Sequence, residues 1–238
     1  MVRWFSEAQE KATSKIFDLL SYCELTYWVE SGSLLLATRD EYIPKKEDFD
    51  IGAMFDEEKI KKLEAQLRDL DASFQLSTYN GDVYKVKIKF VNCIPIDIIF
   101  YESYNDTLLS PQKYYSSFHR KYLSPLLYAK RILFKQDANN NNTQMENFVL
   151  DNNSIFYRVG TWNIPKKLIG NINISNKSGF RVPENLNDYL TYRYGNWMTP
   201  NKNLWIFHIH DGGFSKLDIE TIKQVSSNPL NKKIFNES

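Results

Sequence analysis

The segment Ile94–Tyr101, IPIDIIFY, constrains this chain more than any other stretch. Both of its alternating sets are apolar except at Asp97, and continuous hydrophobicity marks a central strand covered on both faces. Sheet with helices packed over it, an α/β (α+β) architecture, is therefore the expected fold class. An ionised carboxylate in the middle of such a strand costs several kcal/mol to bury unless it is paired or bound to metal. Asp97 is thus either a metal ligand or half of an ion pair with a cation such as Lys87 or Arg39.

The flanking sequence supplies the rest of a small mixed sheet. Glu7 to Glu24 places apolar residues at near-helical spacing and reads as an amphipathic helix. Thr26 to Glu30 reads as a short strand, Ser31-Gly32-Ser33 as a break with helix N-cap chemistry, and Leu34 to Arg39 as a short helix. Asp48 to Met54 is a second strand. Asp56 caps a charged helix running to about Asp71, which buries Ile60, Leu63 and Leu67. Phe74 to Thr78 and Val83 to Phe90 alternate around Asn80-Gly81, a strong hairpin signal. In the second strand of that hairpin Lys85, Lys87 and Lys89 share one face.

The second half reads as more helical and more irregular. A helix is expected over Ser116 to Lys135, a polar loop over Gln136 to Gln144, a turn at Trp162–Pro165, and a helix over Pro183 to Tyr194 with proline in its first turn. This divides the chain into a core over 1–105 and a helical, irregular C-terminal half over 106–238 packed on it.

Composition excludes several classes. Apolar residues make up 42% of 238, enough for a real core, so disorder is not expected. Net charge is +1, without the basic excess a duplex-binding domain usually carries. Two cysteines, Cys23 and Cys93, cannot form a disulfide framework and read as buried thiols. No stretch approaches the roughly twenty apolar residues that span a bilayer, and the N-terminus shows no signal-type apolar run. A cytoplasmic location fits best. Aromatics reach 15%, filling the core or lining a sugar or base pocket.

The chemistry gathers at Gly32-Ser33, Asp48, Asp50 and Asp97. Residues two apart on a strand face the same way, so Asp48 and Asp50 project together about 7 Å apart at the backbone. Two such carboxylates repel unless a cation lies between them. Magnesium suits them, since it binds through one or two carboxylates and substrate phosphates. A Gly-Ser turn at a helix start offers backbone N–H groups and a positive dipole end to phosphate. Arg39 reads equally as a phosphate clamp and as a helix C-cap or partner of Asp48. His208 and His210 alternate on a possible strand, LWIFHIHD, and read as substrate-proximal or structural residues, with a metal site as the weaker reading.

The run YWVESGSLLLATRDEYIPKKEDFDIG resembles the signature of the LicD/fukutin family at Trp28, Gly32, Ser33, Leu34, Leu35, Arg39, Ile43, Pro44, Asp48, Asp50, Ile51 and Gly52. IPIDIIFYE resembles that family's Ile-Asp-Ile-Phe strand, and VPENLNDYLTYRYGNWMTP its closing segment. Leu36 stands where the family prefers glycine, and Lys45-Lys46-Glu47 replaces a Trp-Asp-Asp run, which leaves donor specificity open. The resemblance implies a nucleotidyltransferase-like fold related to DNA polymerase β, with a helical C-terminal extension. It implies transfer of a phospho-alcohol, phosphocholine or phospho-polyol, from a CDP-alcohol to a sugar hydroxyl of a glycan or glycolipid precursor, with CMP leaving. Asp48 and Asp50 would then hold Mg²⁺ or Mn²⁺, Asp97 would be third ligand or acceptor base, and Gly32, Ser33 and Arg39 would hold phosphate. The expected partners are the CDP-alcohol and its acceptor, with peripheral membrane contact open and no duplex nucleic acid. NTP-dependent nucleotidyl transfer to a sugar, protein or RNA is the rival enzyme reading, and a non-catalytic nucleotide-binding scaffold the other.

Overall fold

The computed structural model describes residues 6–39, 48–114, 148–150, 158–199 and 211–227. Helix α1 (Glu7–Tyr22) starts where the Ser6 side chain accepts from the Gln9 N–H at 3.3 Å, with Glu7 and Glu10 complementing the helix dipole in its first turn. Its Ala12, Ile16 and Leu20 are buried at helical spacing. Strand β1 (Tyr27–Val29) leads into α2 (Ser31–Arg39), and β2 (Phe49–Met54) follows. The Asp56 carboxylate accepts from the Lys59 N–H at 3.2 Å and caps α3 (Glu57–Leu67), which buries Ile60, Leu63 and Leu67 as its pattern predicts.

A hairpin of β3 (Ser73–Tyr79) and β4 (Asp82–Lys89) comes next. Its turn residues Asn80 and Gly81 both take positive φ, 51° and 94°, the backbone a two-residue type I′ connection requires. Strand β5 (Ile96–Tyr104) is the centre of the molecule, fully buried from Ile96 to Tyr101. It pairs in parallel with β2 and antiparallel with β4, and its last three residues pair with β6 (Thr107–Tyr114). Beyond β6 lie β8 (Arg158–Pro165) and β11 (Phe214–Ser215); at the other end β7 (Phe148–Leu150) pairs in parallel with β3. Strands β9 (Ile172–Ile174) and β10 (Arg181–Pro183) form a separate two-stranded ribbon. Short helix α4 (Lys166–Ile169), α5 (Leu186–Tyr194) and α6 (Ile219–Ser227) complete the described chain. No helix among the described residues is long and apolar enough to cross a membrane.

Strand β1 fixes the one glycine of the Asp-Ile-Gly motif. Trp28 is opposite Gly52 in the antiparallel register, and its indole lies flat on that position. A Cβ on Gly52 would stand 2.6 Å from Trp28 Cε2, inside any real contact. Trp28 is wholly buried and packs against Tyr101 with ring centroids 5.6 Å apart, so the indole has nowhere to retreat.

Three expectations are corrected here. Trp162–Pro165 is not a turn but the end of β8, where Trp162 pairs with Ser110 and Pro165 with Thr107. Proline ends the strand because it has no N–H to donate further. Pro183 does not open a helix. It closes β10, and the next N–H, that of Glu184, donates to the carbonyls of Ile169 and Asn171; a turn at 184–185 then leads into α5 at Leu186. Ser31 belongs to α2 rather than to a break before it, and enters with φ at +52°. The helix expected over 116–135, the loop over 136–144, Ile43, Pro44 and the 208–210 histidine pair lie outside the described residues.

Candidate metal centre

Parallel pairing sets Asp50 of β2 directly beside Asp97 of β5, so both side chains leave the sheet on the same face. Asp48, two residues before Asp50, joins them. The three residues offer carboxylate oxygens that all lie within 4.8 Å of one another. Asp50 is 8% exposed and Asp97 1% exposed, while Asp48 is half-buried. The sequence expectation that these three converge is met.

The donor set suits a hard divalent cation. It is all-oxygen and anionic, and Asp97 Oδ1 is buried without a hydrogen bond. The ion-pair reading of Asp97 is also present in the same place. Lys85 Nζ lies 2.5 Å from Asp97 Oδ2, and Lys87 Nζ lies 3.6 Å from Oδ1, too long for a hydrogen bond. Lys85 holds Oδ2 while Oδ1 has no hydrogen bond, so a cation entering the cluster would meet the lysine's charge on the same carboxylate.

Helix α2 starts against this cluster. Ser33 is fully buried; its Oγ accepts from the Asp50 N–H at 2.8 Å and donates weakly to Asp50 Oδ2 at 3.5 Å. The Glu30 N–H donates to the Asp50 carbonyl at 3.0 Å. Asp50 is therefore held on both backbone groups by the β1–α2 junction. Gly32, beside Ser33, is half-buried. Arg39 stands at the far end of α2, about 9 Å along the axis from Ser33. Its guanidinium donates to the Trp197 carbonyl at 3.4 Å, and Lys177 Nζ donates to the Thr38 and Arg39 carbonyls.

Beneath the junction lies a buried ionic network that sequence reasoning did not find. Arg193 of α5, fully buried, donates through NH1 to Glu30 Oε1 at 2.6 Å and grips Asp211 through Nε and NH2 at 2.6 and 2.5 Å. Trp28 Nε1 and the Tyr189 hydroxyl also donate to Glu30. The Gly213 N–H donates to Asp211 Oδ1 at 2.9 Å. Burial alone would lower the Arg193 pKa, but the Asp211 carboxylate, with Tyr189, Tyr194 and Glu30 behind it, holds it well above its ordinary value. Burial likewise pushes the Tyr189 hydroxyl well up, so it stays a donor. The signal was there in part: Glu30 ends an apolar strand as anomalously as Asp97 interrupts one.

Burial raises the thiols of Cys23 and Cys93, which leaves neither a ready nucleophile.

Residues 24–141, just under half the chain, match the family model described as LicD/FKTN/FKRP, nucleotidyltransferase domain. Over that stretch the chain resembles the LicD/fukutin family. The LicD-type match spans β1 through β6 and so contains all three aspartates, α2 and Trp28. The described residues form a mixed sheet flanked by helices, and the family model matched over 24–141 is described as a nucleotidyltransferase domain. Among solved structures, the lincosamide antibiotic adenylyltransferase LnuA with lincomycin bound is 20% identical, with a TM-score of 0.33. That likeness covers 42% of this chain and 61% of LnuA, so the chain matches less than two thirds of that protein's length. No curated protein matches the chain.

Proposed function

We propose that the protein is a metal-dependent transferase that moves a phospho-alcohol, phosphocholine or a phospho-polyol, from a CDP-alcohol to a sugar hydroxyl of a glycan or glycolipid precursor, releasing CMP. The observation that carries this reading is the convergence of Asp48, Asp50 and Asp97 within 4.8 Å, with Asp97 Oδ1 buried and lacking a hydrogen bond. LicD-type resemblance across the same residues supports the transfer class.

Asp48 and Asp50 would hold Mg²⁺ or Mn²⁺, with Asp97 as third ligand or as the base that takes the acceptor proton. When bound, the metal supplies charge neutralisation for the donor diphosphate. Ser33 keeps Asp50 in place through its backbone and offers, with Gly32, the α2 N-terminus to the phosphates. Arg39 serves as the clamp at the other end of the helix. Residues 106–238 furnish the acceptor side of the cleft to the 1–105 core.

A panel of CDP-choline, CDP-ribitol, CDP-glycerol, ATP and CTP, followed by thermal shift with and without Mg²⁺, tests the assignment. A CDP-alcohol at about 100 Kd should add ~2.7 kcal/mol of stability only with metal present. The description of the matched domain as a nucleotidyltransferase favours a second reading, NTP-dependent nucleotidyl transfer. Stabilisation by ATP or CTP and by no CDP-alcohol would select it and reject the first.

A further inference from the structure

Lys85 and Lys87 lie two apart on β4, and the antiparallel register sets Lys87 opposite Asp97. Both ammonium groups therefore stand on the carboxylate face. Their side chains are 26% and 34% exposed, against 1% for Asp97, so each reaches a buried carboxylate from a partly exposed stem. Without a metal, three carboxylates within 4.8 Å repel one another, and these lysines supply the compensating charge. The shorter contact, Lys85 Nζ on Asp97 Oδ2, sets a positive charge on the carboxylate whose other oxygen, Oδ1, has no hydrogen bond, so a cation entering the cluster meets repulsion from that ammonium.

We infer that Lys85 is a placeholder cation: it neutralises Asp97 in the metal-free protein, gives way to the divalent ion, and then binds the diphosphate of the donor. The inference rests on the metal-dependent reading above. The residue type suits the role, because lysine is a compact charge on a flexible four-carbon stem with rotatable donors. Its partial exposure lets it exchange partners without stranding a buried charge. Arg193, held on two carboxylates and fully buried, could not act this way.

The test is calorimetric titration of the full chain with Mn²⁺, free of donor, for wild type, Lys85→Met and Lys85→Arg. Methionine keeps the stem and removes the competing charge. Lys85→Met should bind Mn²⁺ about tenfold more tightly than wild type, the factor equivalent to ~1.4 kcal/mol. At saturating Mn²⁺ the same variant should bind inorganic pyrophosphate more weakly, with Lys85→Arg retaining most of the wild-type affinity. Equal or weaker Mn²⁺ binding by Lys85→Met, where wild type binds, overturns the placeholder role and leaves the metal reading standing. Unchanged pyrophosphate affinity overturns the transfer of Lys85 to the donor. Failure of wild type and Lys85→Met alike to bind Mn²⁺ overturns the metal reading itself, and this inference with it.

Discussion

Replacing Asp50 with asparagine is expected to remove turnover while leaving the protein folded. The substitution is nearly isosteric, and the backbone contacts that fix residue 50, from Ser33 Oγ to its N–H and from the Glu30 N–H to its carbonyl, do not involve the side chain. What is lost is one of the three charges proposed to hold the metal. Losing a group that stabilises transition-state charge commonly costs on the order of 10²–10³ in rate, or ~2.7–4 kcal/mol. In the metal-free protein the same change relieves repulsion among acids, so the melting temperature without divalent ions should hold or rise. CMP release and metal-free melting, measured on one preparation, check both halves. Unchanged CMP release ends the metal-catalysis account, and a large fall in melting temperature would make Asp50 a structural residue.

The largest expected loss of stability comes from Arg193→Met. Methionine approximates the arginine stem but leaves Glu30 and Asp211, fully or almost fully buried, without their cation. Breaking a buried pair by removing one partner costs about 3–5 kcal/mol. Domains of this kind are stable by roughly 5–15 kcal/mol, so a third or more of the total is at stake. Urea unfolding should show the midpoint falling sharply. Adding Glu30→Gln and Asp211→Asn to Arg193→Met should recover much of the loss, since well-packed neutral replacements of a buried ionic group are often tolerated. A triple variant no more stable than the single one would mean that the guanidinium's contacts with the rings of Trp162, Tyr189 and Tyr194, rather than its pairing with the two carboxylates, hold the network together.

The parts of the site legible in the sequence are those whose signal is local. Asp48 and Asp50 are two apart on a strand, Asp97 breaks an apolar run, and Asn80-Gly81 joins β3 to β4, the strand on which Lys85 and Lys87 share a face. Strand periodicity suffices for all of these. Arg193 escaped because its partner Glu30 is 163 residues away and no periodicity links α5 to the β1–α2 junction, and Asp211 joins the network only through Arg193. Lys85 escaped for a subtler reason. The register names Lys87 as the neighbour of Asp97, yet the closer ammonium belongs to the residue one pleat along. A long flexible stem reaches diagonally across a sheet as readily as it reaches straight across. In the second half, Trp162–Pro165 read as a turn because proline and asparagine are turn residues, but long-range pairing of β8 with β6 overrides that local preference.

The central claim is that Asp48, Asp50 and Asp97 hold one divalent cation between them. Anomalous diffraction from crystals of the protein soaked in Mn²⁺ tests it most directly. The account predicts a peak among the three carboxylates, about 2.1 Å from their oxygens, as for a magnesium-like ion. A well-ordered cluster with no peak in saturating Mn²⁺, and with Lys85 still seated on Asp97, would contradict it.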